Sequence, residues 1–246
     1  MPCRWEDGWP MLGDADGRVP EKMTLTTYPD ACKGGIMGSD DFSASNLSLY
    51  WQWNHNPMDD CWSLTERPGF MRLKTGRVVE NLFLAPNTLT QRMSGPRCSG
   101  VVAMDVSKMA DGDVAGFSAF NGLSGVLAVE KKAGKKSLVM SFQSVSLADK
   151  DKRVTEVKTE EKERVECLND VVYLRIDGDF TKGKDEATFY YSYDNKTWKR
   201  IGCPCKMKFD HTKMFMGSKF AIFNYATKSL GGYVDVDSFW RDCFLK

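Results

Sequence analysis

From Ser39 onward, apolar and polar positions alternate in short runs, mostly about 5–8 residues long, each bounded by Gly, Asp, Asn or Lys clusters. Leu47-Ser48-Leu49-Tyr50-Trp51-Gln52-Trp53 and Phe70-Met71-Arg72-Leu73-Lys74 alternate with the two-residue period of a half-buried strand. Residues 101–106, 125–129, 137–142, 171–177 and 187–193 are rich in Val, Leu, Phe and Tyr, which favour strands. Asp194-Asn195-Lys196 between Tyr193 and Thr197-Trp198 predicts a hairpin turn. No segment keeps a helical period over a useful length. The best helical candidate, Thr155 to Cys167, is laden with Glu and Lys but also holds Val157 and Val165, and predicts a pair of solvated edge strands. The expected fold is all-β, an antiparallel β-sandwich over residues 39–246.

Residues 1–38 are different. They are punctuated by Gly and Pro with little periodicity, the composition of a tail or linker. Trp5, Trp9, Met11 and Leu12 are costly to leave in water, so this N-terminal extension is expected to pack against something.

Charge removes several function classes. In 246 residues, 34 Lys and Arg face 33 Asp and Glu, a net charge of +1, without the basic excess that phosphate neutralisation demands. A nucleic-acid partner is therefore not expected. No run approaches the roughly 18 apolar residues of a membrane helix, so no membrane partner is expected either. Met1 to Asp7 does not read as a signal peptide, which leaves a cytoplasmic chain, or a periplasmic or secreted one if it belongs to a longer precursor. Eight cysteines, an even count, permit disulfides, but their wide, irregular spacing makes reduced thiols the default and leaves pairing open, and Cys203-Pro204-Cys205 with His211 is a poor zinc pattern.

Catalytic motifs are missing. The sequence holds no G-x-S-x-G, P-loop, G-x-G-x-x-G or H-E-x-x-H, and two histidines, His55 and His211, do not make a triad. Acid pairs such as Asp59-Asp60 read first as solvated turns. Trp51-Gln52-Trp53-Asn54-His55 carries more information: an indole face suits the C–H face of a pyranose, while Gln and Asn supply hydrogen bonds to its hydroxyls. The competing reading is that both indoles are core. Asp41 and Asp235 stand at the two ends of the sandwich, which are often neighbours; a carboxylate from one with loop carbonyls from the other would form an oxygen-rich site for a structural Ca²⁺, and the alternative is hydrogen-bonded turn aspartates.

Ser39-Asp40-Asp41-Phe42 followed by Trp51-Gln52-Trp53-Asn54-His55-Asn56-Pro57 resembles the start of the C-terminal β-sandwich of family-43 glycoside hydrolases, the β-xylosidases and α-arabinofuranosidases. The likeness continues through residues 63–73, 87–92, 112–117 and 191–198, and through Gly231-Gly232-Tyr233-Val234-Asp235-Val236-Asp237-Ser238-Phe239. Arg4-Trp5-Glu6-Asp7-Gly8-Trp9-Pro10 is similar to the segment that closes the family's catalytic propeller. The resemblance implies a concanavalin A-like, jelly-roll sandwich that follows a five-bladed propeller, the part of the family that carries the catalytic carboxylates. It also implies a loop reaching toward the propeller's sugar pocket, here Phe209 to Phe220, with Phe215 in the role of the family's pocket-shaping Phe and Met214 a near alternative.

Three functions are then in play. One is an accessory module of a xylan- or arabinoxylan-degrading hydrolase, which completes a pocket or binds xylo-oligosaccharide through Trp51, Gln52, Trp53, Asn54, His55 and Phe215 and is not catalytic alone. Another is a stand-alone lectin-like protein. The third is a hydrolase in its own right, using Asp59 or Asp60 with Glu66.

Overall fold

A computed structural model describes residues 2–22, 37–151, 153–207, 209 and 216–244, without the side chains of 243 and 244. Phe215, Met214 and His211 lie outside the described residues. The chain divides into two compact units, Met1–Gly35 and Ile36–Lys246.

In the first unit, β1 (Cys3–Glu6) and β2 (Trp9–Leu12) form a two-stranded antiparallel hairpin. The turn is made by Asp7 and Gly8, both at positive φ, a conformation Gly reaches without cost and Asp tolerates. The described part of the extension therefore holds a β-hairpin. Cross-strand register puts Trp5 opposite Pro10 and Trp9 opposite Glu6, so the two indoles point to opposite sides of the ribbon. Trp5 is 71% exposed and Trp9 73%.

The second unit is the expected sandwich. Its strands are β3 (Gln52–Trp53), β4 (Trp62–Ser63), β5 (Met71–Lys74), β6 (Leu89–Arg92), β7 (Arg97–Asp105) and β8 (Asp113–Phe120). They continue as β9 (Leu123–Lys132), β10 (Lys135–Leu147), β11 (Val154–Glu166), β12 (Val171–Asp179) and β13 (Glu186–Ser192). The last are β14 (Lys199–Arg200), β15 (Cys205–Lys206), β16 (Lys219–Ala226) and β17 (Tyr233–Phe244). A seven-stranded sheet runs β11-β10-β9-β8-β16-β6-β3, and an eight-stranded sheet runs β14-β13-β12-β7-β17-β5-β4, with β15 on β13. The strand pairs are antiparallel, for example β8 with β9, β16 with β8 and β17 with β7.

Alternation sets the core. On β8, Ala115, Phe117 and Ala119 face the eight-stranded sheet and join Val102, Met104, Leu174, Ile176 and Phe239. The other face of the seven-stranded sheet is covered at its centre by residues 79–85, where Leu82 and Phe83 pack on Phe120, Ala128 and Phe223. Apolar contact on both faces explains why β8 is buried along its whole length and lacks a polar side.

Two local expectations change. Thr155–Cys167 is not two strands: a single 13-residue strand, β11, forms the outer edge of the seven-stranded sheet. Its alternating Glu and Lys pair across positions two apart, as in Glu160–Lys162 and Glu156–Lys158, so it stays extended instead of turning back. Leu47 to Trp51 is likewise not a strand. The Asp40 carboxylate gathers the amide of Phe42 (2.9 Å), the hydroxyl of Ser48 (3.4 Å) and the indole N–H of Trp51 (2.8 Å), which curls the chain around it.

Candidate functional site

The two ends of the sandwich are neighbours. Asp40 and Phe239 exchange both backbone hydrogen bonds, at 2.8 Å each. The carboxylates of Asp41 and Asp235 nevertheless go elsewhere. Asp41 accepts from the amide and hydroxyl of Ser43 (3.0 and 2.7 Å), hydrogen bonds that hold its pKa below the ordinary value. Asp235 is buried and held by Arg72 (Nε to Oδ1 2.8 Å, Nη2 to Oδ2 2.9 Å) and by Arg67 (3.0 Å). Both oxygens of Asp235 accept hydrogen bonds from guanidinium groups. Among the described residues no group of three or more His, Cys, Asp or Glu is placed to hold a metal ion.

The aromatic segment also splits. Trp51 is only 8% exposed, stacked on Phe42 (5.9 Å, 28°) and edge-on to Phe239 (5.1 Å, 62°). It is a core residue. Trp53 is partly buried, packed on the core and 5.2 Å from Trp62. The backbone amide of Asn54 donates to Thr88 O (2.9 Å), which continues the β3–β6 pairing. One His55 ring nitrogen, Nε2, lies 2.7 Å from Phe83 O, tying this loop to the segment that covers the seven-stranded sheet.

Gln52 is the member of the segment that reaches a cavity. β3 pairs with β6, and Thr90 Oγ1 donates to Gln52 O (2.8 Å), which fixes the backbone there. The Gln52 side chain accepts from Lys219 Nζ (3.1 Å), at the start of β16. Around them is a groove of about 560 Å³ lined by Gln52, Arg92, Met93, Gly95, Phe180 and Met216 to Lys219. Met93 N donates to Ser218 O (3.1 Å), pinning the end of β6 to the chain entering β16. Arg241 braces the same wall, donating to Gln91 Oε1 (2.6 Å), Arg92 O (2.9 Å) and Ser94 Oγ (3.0 Å). Burial, and then the neighbouring Arg92 charge, push the Lys219 pKa down.

The described lining of this groove offers amide, hydroxyl and cationic groups and no Asp or Glu. It can bind oxygen-rich ligands but supplies no carboxylate pair of the kind glycosidic cleavage uses. Glu66, a carboxylate considered for hydrolysis, is tied to Lys74 (2.5 Å) and Arg72 (3.3 Å). The Lys74 hydrogen bond in particular holds its pKa down, the opposite of what a general acid needs. Asp59 and Asp60 sit in a short 3₁₀ turn, exposed.

Residues 39–241 match the family described as Beta xylosidase C-terminal Concanavalin A-like domain. The chain belongs to that family. As such a C-terminal domain it is 31% identical to a beta-xylosidase of Formosa agariphila over 98% of its own length and 42% of that protein's. A shorter stretch, 30% of the chain, is 40% identical to a non-reducing end alpha-L-arabinofuranosidase of Bacteroides ovatus and covers 14% of it. Among solved structures it superposes on a "Bifunctional GH43-CE" protein of Bacteroides eggerthii (TM-score 0.78, 41% identity, 100% of this chain and 30% of that one). It also superposes on a family-43 glycoside hydrolase engineered for endo-xylanase and exo-arabinofuranosidase activity (TM-score 0.83, 32% identity, 99% and 48%). The C-terminal domain thus spans less than half the length of each of these relatives.

Arg92 and Lys219 went unnoticed in the sequence. Arg92 ends the 87–92 segment of the family likeness and Lys219 lies within the Phe209–Phe220 loop, but nothing in either segment pairs the two; the β6–β16 register does.

Proposed function

We propose that this chain is the accessory β-sandwich module of a family-43 glycoside hydrolase acting on xylan or arabinoxylan. It completes the sugar pocket of a catalytic propeller and is not catalytic alone. The support is the position of the groove. Gln52 meets Lys219 there, and the lining runs through Met216, Gly217 and Ser218, the residues that directly follow Phe215 in the chain. A saccharide held against Gln52 would lie next in sequence to the loop that the family resemblance assigns to the pocket. The β1–β2 hairpin adds a second support. A two-stranded ribbon is marginal in water by itself, and the exposed indoles on its two sides offer apolar area for a catalytic propeller to cover.

The test is to mix the chain with the catalytic half of a related xylosidase and follow hydrolysis of a nitrophenyl β-xyloside. Turnover is expected to rise on adding the chain and to fall with the Gln52→Ala chain. A rate indifferent to the chain sinks the pocket-completing role. Turnover by the pure chain sinks the non-catalytic reading.

A further inference from the structure

Arg92 on β6 and Lys219 on β16 are direct cross-strand partners. Like charges directly opposite each other are destabilising in a sheet, and natural sequences commonly place an opposite charge there. Here both cations line the groove described above, and its described lining contributes no carboxylate to offset them. Lys219 is partly buried, and its hydrogen-bond acceptor is the neutral amide oxygen of Gln52. The backbone around the pair is fixed: Arg241 and Ser218 hold the β6 end, and Thr90 holds Gln52. Two cationic residues are therefore cross-strand neighbours in the lining of one groove, at a cost that an incoming anion would relieve.

We propose that this groove takes the carboxylate of an acidic sugar, a hexuronate carried by the polysaccharide, with Arg92 and Lys219 as its counter-charges. Gln52 and Ser218 are placed to hydrogen-bond the hydroxyls of the same ring. Phe180, also in the lining, offers an apolar surface for a sugar's C–H face. The volume of about 560 Å³ is within the range of small-molecule sites. The inference rests on the proposal that this groove binds saccharide and adds the class of saccharide: xylan bearing uronic acid branches, in preference to the bare backbone. Charge-assisted hydrogen bonds to a carboxylate are roughly twice as strong as neutral ones, which supplies the preference.

The test is calorimetry on the intact chain with three ligands of matched length: a glucuronosyl-substituted xylo-oligosaccharide, an unsubstituted xylo-oligosaccharide and an oligogalacturonate. The substituted xylo-oligosaccharide is expected to bind about tenfold tighter than the unsubstituted one at low salt, a margin that added salt narrows. Lys219→Met should erase the margin between the acidic and the neutral ligand, and Arg92→Met should do so independently, so one misfolded variant does not decide the matter; a margin that persists in both folded variants overturns the inference. Oligogalacturonate binding as tightly as the xylan-derived acid would keep the carboxylate site but overturn its assignment to xylan. Equal binding of the acidic and neutral xylo-oligosaccharides overturns the inference and leaves the pocket-completing role standing. No heat with any of the three also overturns it, and the turnover experiment above then decides the underlying role separately.

Discussion

Trp51 and Asp40 are joined by a 2.8 Å hydrogen bond from the indole Nε1 to Oδ2, at the point where the chain enters the sandwich. Asp40 also pairs through its backbone with Phe239, whose ring lies 5.1 Å from that of Trp51 in a T-shaped contact. The aromatic residue that looks most like a sugar platform is thus a clasp between the first and last segments of the domain. Trp51→Ala is expected to cost about 3–5 kcal/mol, the range for emptying a large aromatic core position. Trp51→Phe, which keeps most of the apolar volume and loses the N–H, should cost much less. Urea denaturation of the two variants checks this, and equal stability of Trp51→Ala and the wild type would show that the indole is not structural.

Gly116 on β8 faces a neighbouring strand at close range. A Cβ built there would lie 2.2 Å from Leu127 O and 2.6 Å from Ala128 Cα, both backbone atoms that cannot swing aside. Gly116→Ala should therefore lower stability by about 1–3 kcal/mol or more through forced separation of β8 and β9. Thermal unfolding monitored by near-UV circular dichroism reads the change.

The Asp194 turn carries a pH dependence. Its carboxylate accepts from the amides of Thr197 (2.7 Å) and Lys196 (2.8 Å), and these backbone hydrogen bonds hold its pKa well below the ordinary Asp value of about 3.9. A depressed folded-state pKa stabilises above the unfolded value, and that stabilisation fades as pH falls through the folded one. The wild type should lose stability more steeply than Asp194→Ala on acidification below about pH 4. Parallel slopes for the two proteins would dismiss the carboxylate as a contributor.

Cys203 and Cys205 stand two positions apart in opposite environments. Cys203 is exposed, whereas burial in the core pushes the Cys205 thiol up to about 12. Since the thiolate is the reactive form, iodoacetamide at neutral pH should label Cys203 and spare Cys205 until denaturant is added. Mass mapping of the labelled peptides distinguishes the two.

The hairpin indoles predict association behaviour. Trp5→Ser combined with Trp9→Ser should reduce concentration-dependent self-association in sedimentation velocity, because exposed aromatic area drives such contacts. An unchanged distribution would assign any self-association to another surface.

How much of this was readable beforehand depended on the distance over which each signal acts. Alternation and turn chemistry are local, so the sandwich strands and the Asp194-Asn195-Lys196 turn, where Asn195 takes positive φ, could be read from neighbouring residues. The Leu47–Trp51 run misled because alternation cannot reveal a carboxylate outside the run, Asp40, that collects its donors. Charge pattern gives solvation but not length, so it does not distinguish the single strand β11 from two. Arg92 and Lys219 were illegible for a different reason. Their adjacency is set by which strands pair and in what register, and neither is encoded within a window of a few residues.

The edge strand β11 has a consequence for how the domain meets other molecules. Its run of Glu and Lys side chains leaves backbone donors and acceptors on the rim of the seven-stranded sheet but surrounds them with fixed charge. A foreign strand arriving there would have to strip water from those charges before it gained a single backbone hydrogen bond. Growth of the sheet by added strands, whether from a neighbouring copy or from a misfolded chain, is thereby discouraged on that side. The sandwich behaves as a finished surface there, joined to its surroundings by side chains and grooves and not by lengthening its β-structure.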